Sequence, residues 1–296
     1  MSTHAHESTE PIFLDQPGDE AQERPFSGFG MVLNSKPPGD PRDETFLQML
    51  HTNLCPRLNC FSFAVFAAIA FACLFIIQLV ISGVKYDGEF LEVNRTYLTS
   101  ALMLTRESVL SDKQLHRLLT SVLLHSSLPA LVNTAILLLI WVSWIECMFG
   151  IARSLVIFFL TAFAGNAFGV LFAIPADFLM GASVGIFGLL GACLGFIIFN
   201  WRNILSPHFS KLYLFWMVTF VIVFSMLLCG SATAVMLQLG GVLAGIACGL
   251  FASPVEVVGG AQPKRYSAHQ TVAMTCGMVV YACFVGIPLC IIILAH

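Results

Sequence analysis

The sequence predicts an all-α integral membrane protein, and three observations carry that prediction. The 296 residues are 57% hydrophobic and only 10% charged, whereas soluble domains carry roughly a quarter charged residues. Most of the charges sit in the first 57 residues and in the stretch from Val84 to Arg117. The remainder is a series of apolar runs, each about twenty residues long, enough to cross a ~30 Å hydrocarbon core.

Residues 1–57 are rich in Pro, Gly, Ser, Asp and Glu without apolar periodicity, the composition of a disordered tail. They show no cationic start followed by an apolar core, which argues against a signal peptide, and they are too acidic for a mitochondrial transit peptide. Seven spans follow: Asn59–Gly83, Leu118–Met148, Ile151–Ile174, Phe178–Asn200, Leu212–Cys229, Ala232–Ala252 and Thr271–Ala295. The second is longer than a bilayer requires, so its ends emerge or the helix tilts.

Orientation follows from Lys and Arg in the short loops. With a cytosolic N-terminus, Arg153, Arg202, Lys211, Lys264 and Arg265 all lie inside, and the short opposite loops hold only Asp177. An odd number of spans then puts His296 outside.

No charged residue lies in the middle of a span, which argues against an ion-coupled transporter. No pair of Gly/Pro-broken helices repeats in two halves either. The net charge of −3 suggests no nucleic-acid partner, and no residue pattern implies a metal or cofactor. Most of the ten Cys lie inside apolar runs, where Cys is a small hydrophobe. Cys55 and Cys60 lie at the mouth of the first span, where either S-palmitoylation or unmodified thiols fit.

The fourth and sixth spans stand apart. Gly181, Gly185, Gly188, Gly191 and Gly195 surround Ser183 in the fourth, and Gly241, Gly245 and Gly249 repeat every four residues in the sixth. Such spacing lets helix backbones approach closely. Both spans run inward from the outer side. Ser183 lies about five residues in and Gln238 about six, so a hydroxyl and an amide share a depth within ~10 Å of the outer end. Packing alone would account for a single G-x-x-x-G; a serine and a glutamine at matched depth add a second reading.

These residues resemble the rhomboid intramembrane serine proteases, whose motifs are G-x-S-G-x-x-F/Y on the fourth core helix and H-x-x-G-x-x-x-G on the sixth. Gly181, Ser183 and Phe187 match the first, with Val184 where a small residue is usual. Arg117 and Thr120 fit the W-R-x-x-T stretch, with His116 in the Trp position. Asn133 matches the Asn that helps line the oxyanion hole, and Glu146, Gly150 and Arg153 match the cytosolic turn after the second helix. The resemblance implies a six-helix core over residues 58–252, with residues 253–296 adding a cytosolic loop and a seventh helix. That 6+1 order is similar to the secretory-pathway branch rather than the mitochondrial one.

The resemblance also implies a Ser–His dyad, and here the sequence departs. Gln238 stands in the histidine position, with Gly241 and Gly245 keeping the register. A carboxamide accepts no proton near neutral pH. Pro129 stands four residues before Asn133, where the family has a supporting His, and it removes a backbone donor from the helix. His125 is nearby at the wrong spacing. The expectation is a pseudoprotease that binds single-span membrane clients without cutting them. The alternative is an active endopeptidase using Ser183 with a non-standard base.

Overall fold

A computed structural model describes residues 62–86, 88–94, 101–174, 179–199, 208–227, 231–252 and 268–294. The predicted tail, Cys55, Cys60, Asp177, Arg202, Lys264 and Arg265 lie outside the described residues.

The protein is an all-α membrane protein. Among the described residues the α-helices are α1 (Phe63–Ser82), α2 (Arg106–Leu110), α3 (Arg117–Thr120), α4 (Leu128–Leu137), α5 (Ser143–Phe149), α6 (Ile151–Val170), α7 (Ser183–Phe199), α8 (His208–Leu227), α9 (Ala232–Phe251) and α10 (Ala268–Leu294). A two-residue antiparallel pair, β1 (Val84–Lys85) with β2 (Glu92–Val93), follows α1. By length and composition, α1, α6, α9 and α10 can each cross a membrane. The bent run from Arg117 to Val142 is a fifth candidate, and α7 and the apolar part of α8 are shorter. Ile69, Ile76 and Val80 on α1 and Cys276, Cys283 and Cys290 on α10 are exposed, as lipid-facing residues are in a fold whose solvent is the bilayer.

The second span is not one helix. The segments Arg117–Leu123 and Leu128–Val142 meet at 93°, because Ser127 starts a new helix. Its extended backbone and its side chain, which accepts from the Ala130 N–H, form an N-cap. Pro129 falls in the first turn, where a backbone N–H has no intrahelical acceptor in any case. The proline thus takes no hydrogen bond from the helix, contrary to the expectation from sequence. A π-helical turn, Leu138–Val142, then joins α4 to α5.

The fourth helix also begins later than its hydropathy suggests. Residues before Ser183 are extended: Leu179 exchanges backbone hydrogen bonds with Leu104 at 2.9 and 3.0 Å. Gly181 follows at φ +125°, a conformation that favours glycine. Ser183 is therefore the first helical residue rather than one several residues inside the helix.

Three helices make the centre. Residues Val184 to Ile197 of α7 are all buried, and α7 packs most extensively on α9, then on α6. A methyl group at Gly241, Gly245 or Gly249 would overlap the carbonyls of Val184, Gly188 or Ala192, and one at Gly191 would overlap that of Val242. Gly165 of α6 completes the contact against Gly241 and Val184. The glycines thus set backbone-to-backbone packing, which the bilayer does not supply by hydrophobic drive.

Candidate functional site

The contacts of Gly241 with Val184 and of Gly191 with Val242 fix the register of the parallel helices α7 and α9. That register brings Ser183 level with Leu237 and Gln238. Ser183 is half-buried at the head of α7. Gln238 is buried at 6% exposure in the second turn of α9. The neighbouring Leu237 packs on Gly169 of α6.

The segment leading to Ser183 and the stretch that pairs with it are held by four polar anchors. Gly181 donates its N–H to the Ser121 carbonyl at 3.0 Å. Asn166, buried in α6, donates from Nδ2 to the Leu118 carbonyl at 2.7 Å and to Ser121 Oγ at 3.3 Å. Arg117 is buried and donates from Nη1 to the Met103 carbonyl at 2.9 Å and from Nε to Gln114 Oε1 at 2.6 Å. Thr120 adds a bond from Oγ1 to the Leu102 carbonyl at 3.0 Å. Arg117 and Thr120 thus clamp residues 102–103 beside Leu104, which in turn pairs with Leu179. Sequence reasoning missed Asn166; its signal is the one amide inside the apolar run of the third span.

The other motif residues lie elsewhere. Phe187 is buried in the core. Glu146 is buried at the opposite end of the bundle, where Oε1 accepts from the Phe63 N–H at 3.0 Å and Oε2 from the Ser62 hydroxyl at 2.7 Å. A carboxylate at the head of α1 satisfies free N–H groups and meets the positive end of the helix dipole. Gly150, at φ +81°, ends α5 and donates its N–H to the Glu146 carbonyl at 2.7 Å. Arg153 is exposed.

Asn133 is exposed on α4, on the side of Val132 and Ile136, and Pro129 is exposed too. His125 is buried, but it belongs to the α1 side. Its ring packs on Phe71 at 5.3 Å, and Gln78 grips its backbone N–H and carbonyl at 3.3 and 3.2 Å. Neither of its ring nitrogens has a hydrogen-bond partner among the described residues. The arrangement can present a hydroxyl and a carboxamide at one depth; it offers no imidazole on α9, where residues Ala232–Phe251 contain no His.

The Rhomboid domain family matches residues 112–255. Inactive rhomboid protein 1 of Drosophila melanogaster is 26% identical over 143 residues, covering 48% of this chain and 10% of that relative. This chain thus aligns with about a tenth of the relative's length. The match to the Rhomboid domain family over residues 112–255 and the similarity to an inactive rhomboid make this a rhomboid-like membrane protein.

Proposed function

We propose that the chain is a rhomboid pseudoprotease, a multi-pass membrane protein that binds the transmembrane segments of single-span clients without cleaving them. The observation that carries this reading is Gln238. It occupies α9 level with Ser183, and a carboxamide cannot take the serine's proton at neutral pH. The name of the Drosophila relative, an inactive rhomboid, points the same way.

Client binding needs a lateral opening, and α8 supports one. Among the described residues its substantial packing is on α7, and Trp216, Phe220, Val223, Phe224 and Leu227 present an exposed apolar face. A helix held on one side moves at lower cost than one packed on several. Displacing α8 would open the bundle next to the Ser183 helix.

The proposal includes a six-helix core, residues 58–252, with a seventh helix in 253–296, a cytosolic tail over 1–57, and residence in the secretory pathway or plasma membrane. The excess of Lys and Arg in the loops assigned to the inside supports the orientation. Helix ends support an odd number of crossings. Ser62 at the head of α1 meets Glu146, whereas Lys113, in the loop after α1, meets Ile292 near the end of α10. The two ends of the chain's membrane region thus lie on opposite faces.

The test is a cleavage and capture assay with a single-span client whose helix is destabilised by glycine and proline. Expected are co-purification without cleavage, and binding unchanged in Ser183→Ala. Cleavage that Ser183→Ala abolishes would establish the active endopeptidase instead.

A further inference from the structure

We propose that Asn94 is a site of N-linked glycosylation. Asn94-Arg95-Thr96 is an Asn-x-Thr acceptor without proline in the middle, and no other Asn in the chain is followed two residues later by Ser or Thr. This single acceptor falls in the one long connection between spans, Val84–Arg117. Glycosylation requires that loop to face the lumen, so the proposal rests on the cytosolic N-terminus proposed above.

The described end of the motif is well placed for a bulky polar substituent. Asn94 is exposed, while the preceding Val93 is buried at 4%. The backbone is fixed on both sides: Asn94 donates its N–H to the Gly83 carbonyl at 3.0 Å, and Val93 donates to the Ser126 carbonyl at 2.9 Å. The modification would therefore sit at the exit of α1 and the head of α4, polar surface where the chain leaves the bilayer. Among the described residues neither helix packs substantially on α8, so the glycan would cover one flank and leave the proposed client side open.

The transfer balances with one co-reactant, a lipid diphosphate-linked oligosaccharide presented by a membrane transferase. The Asn94 side-chain nitrogen attacks the anomeric carbon of the first sugar and loses a proton as the N–C bond forms. The bond from that carbon to the diphosphate oxygen breaks, and the lipid diphosphate leaves with the electron pair.

The full chain is translated with microsomes and treated with peptide N-glycosidase. Two further versions carry an appended Asn-x-Thr tag, one after His296 and one before Met1. The expected result is loss of one glycan step by the untagged chain on treatment, and no glycan in either Asn94→Gln or Thr96→Ala. A glycan that persists in Asn94→Gln overturns the proposal. So does an unmodified Asn94 when the tag after His296 is modified; in that case the orientation stands. Modification of the tag before Met1 alone overturns the orientation, and the proposal with it. Equal protease resistance of wild type and Asn94→Gln separates loss of the site from loss of the fold.

Discussion

Lys113 Nζ donates to the Ile292 carbonyl at 2.7 Å, joining the loop before the second span to a residue 179 positions later near the end of α10. Ile292 is fully buried, and its carbonyl belongs to the last turn, where helices have no intrahelical donor. A cation at that position also meets the negative end of the helix dipole. The same loop donates from Arg106 Nη1 to the Ala173 carbonyl at 3.0 Å at the end of α6. The loop therefore fastens two helix ends to the stretch that pairs with Leu179 ahead of Ser183.

Replacing Lys113 with Met keeps the aliphatic stem and removes the donor. The expected cost is about 0.3–1 kcal/mol, the range for a cation near a helix C-terminus, at the low end because Lys113 is exposed. Hydrogen exchange in micelles checks it: amides of residues 291–294 should exchange several-fold faster while those of α7 do not change. Uniform acceleration across the bundle would mean that the clasp supports the whole fold.

Gly245 and Gly286 make opposite predictions for the same substitution. A Cβ at Gly245 would collide with the Gly188 carbonyl, and backbone cannot step aside as a side chain can; at Gly286 nothing lies within 4 Å. Gly245→Ala should lower stability by about 1–3 kcal/mol, as overpacking does. Gly286→Ala should be neutral or slightly stabilising, because alanine favours helix. Thermal unfolding of the two variants in one detergent distinguishes them.

Part of this was legible in the sequence. The four-residue glycine spacing in the sixth span announces a close helix contact, and the glycines meet backbone carbonyls of α7. Depth counting started the fourth helix too early, since Ser183 is its first residue. Features that depend on partners far along the chain were not legible. Glu146 stands out as a motif residue, but its hydrogen-bond partners are Ser62 and Phe63, more than eighty residues upstream. The polar run His125-Ser126-Ser127 is too short to break an apolar stretch averaged over a whole span, and the averaging hides the 93° bend. The signal was present in Ser127 two residues before Pro129, a helix-start pattern that apolar averaging overrides.

Glu146→Gln tests the cap at the other end of the bundle. The carboxylate receives two hydrogen bonds while buried, and bonds to charged groups are worth about 1.5–3 kcal/mol each. Glutamine keeps one acceptor oxygen, so a loss of about 2 kcal/mol is expected. Ser62→Ala should cost about 1 kcal/mol, since Ser62 Oγ also accepts from the Ala64 N–H at 3.2 Å. The two losses should fall short of additive in the double mutant, because the residues share a bond. Full additivity would mean that the Ser62–Glu146 bond contributes nothing.

Gln238→His asks whether the base is what the site lacks. Histidine returns a proton acceptor to α9 level with Ser183, on a helix held in place by the contacts of Gly241 and Gly245 with Val184 and Gly188. A positioned base contributes about 10²–10⁴-fold. Labelling of Ser183 by a serine-reactive fluorophosphonate should accordingly rise by ~10²-fold or more in Gln238→His, and vanish in Gln238→His with Ser183→Ala. Peptide cleavage should gain less than labelling, since phosphonylation needs an activated hydroxyl but cutting also needs the developing oxyanion stabilised. Proline still stands at position 129, at the exposed head of α4, where it has no side-chain donor to offer. Cleavage rising in step with labelling would show that the remaining donors suffice and that Gln238 alone separates this chain from an active protease.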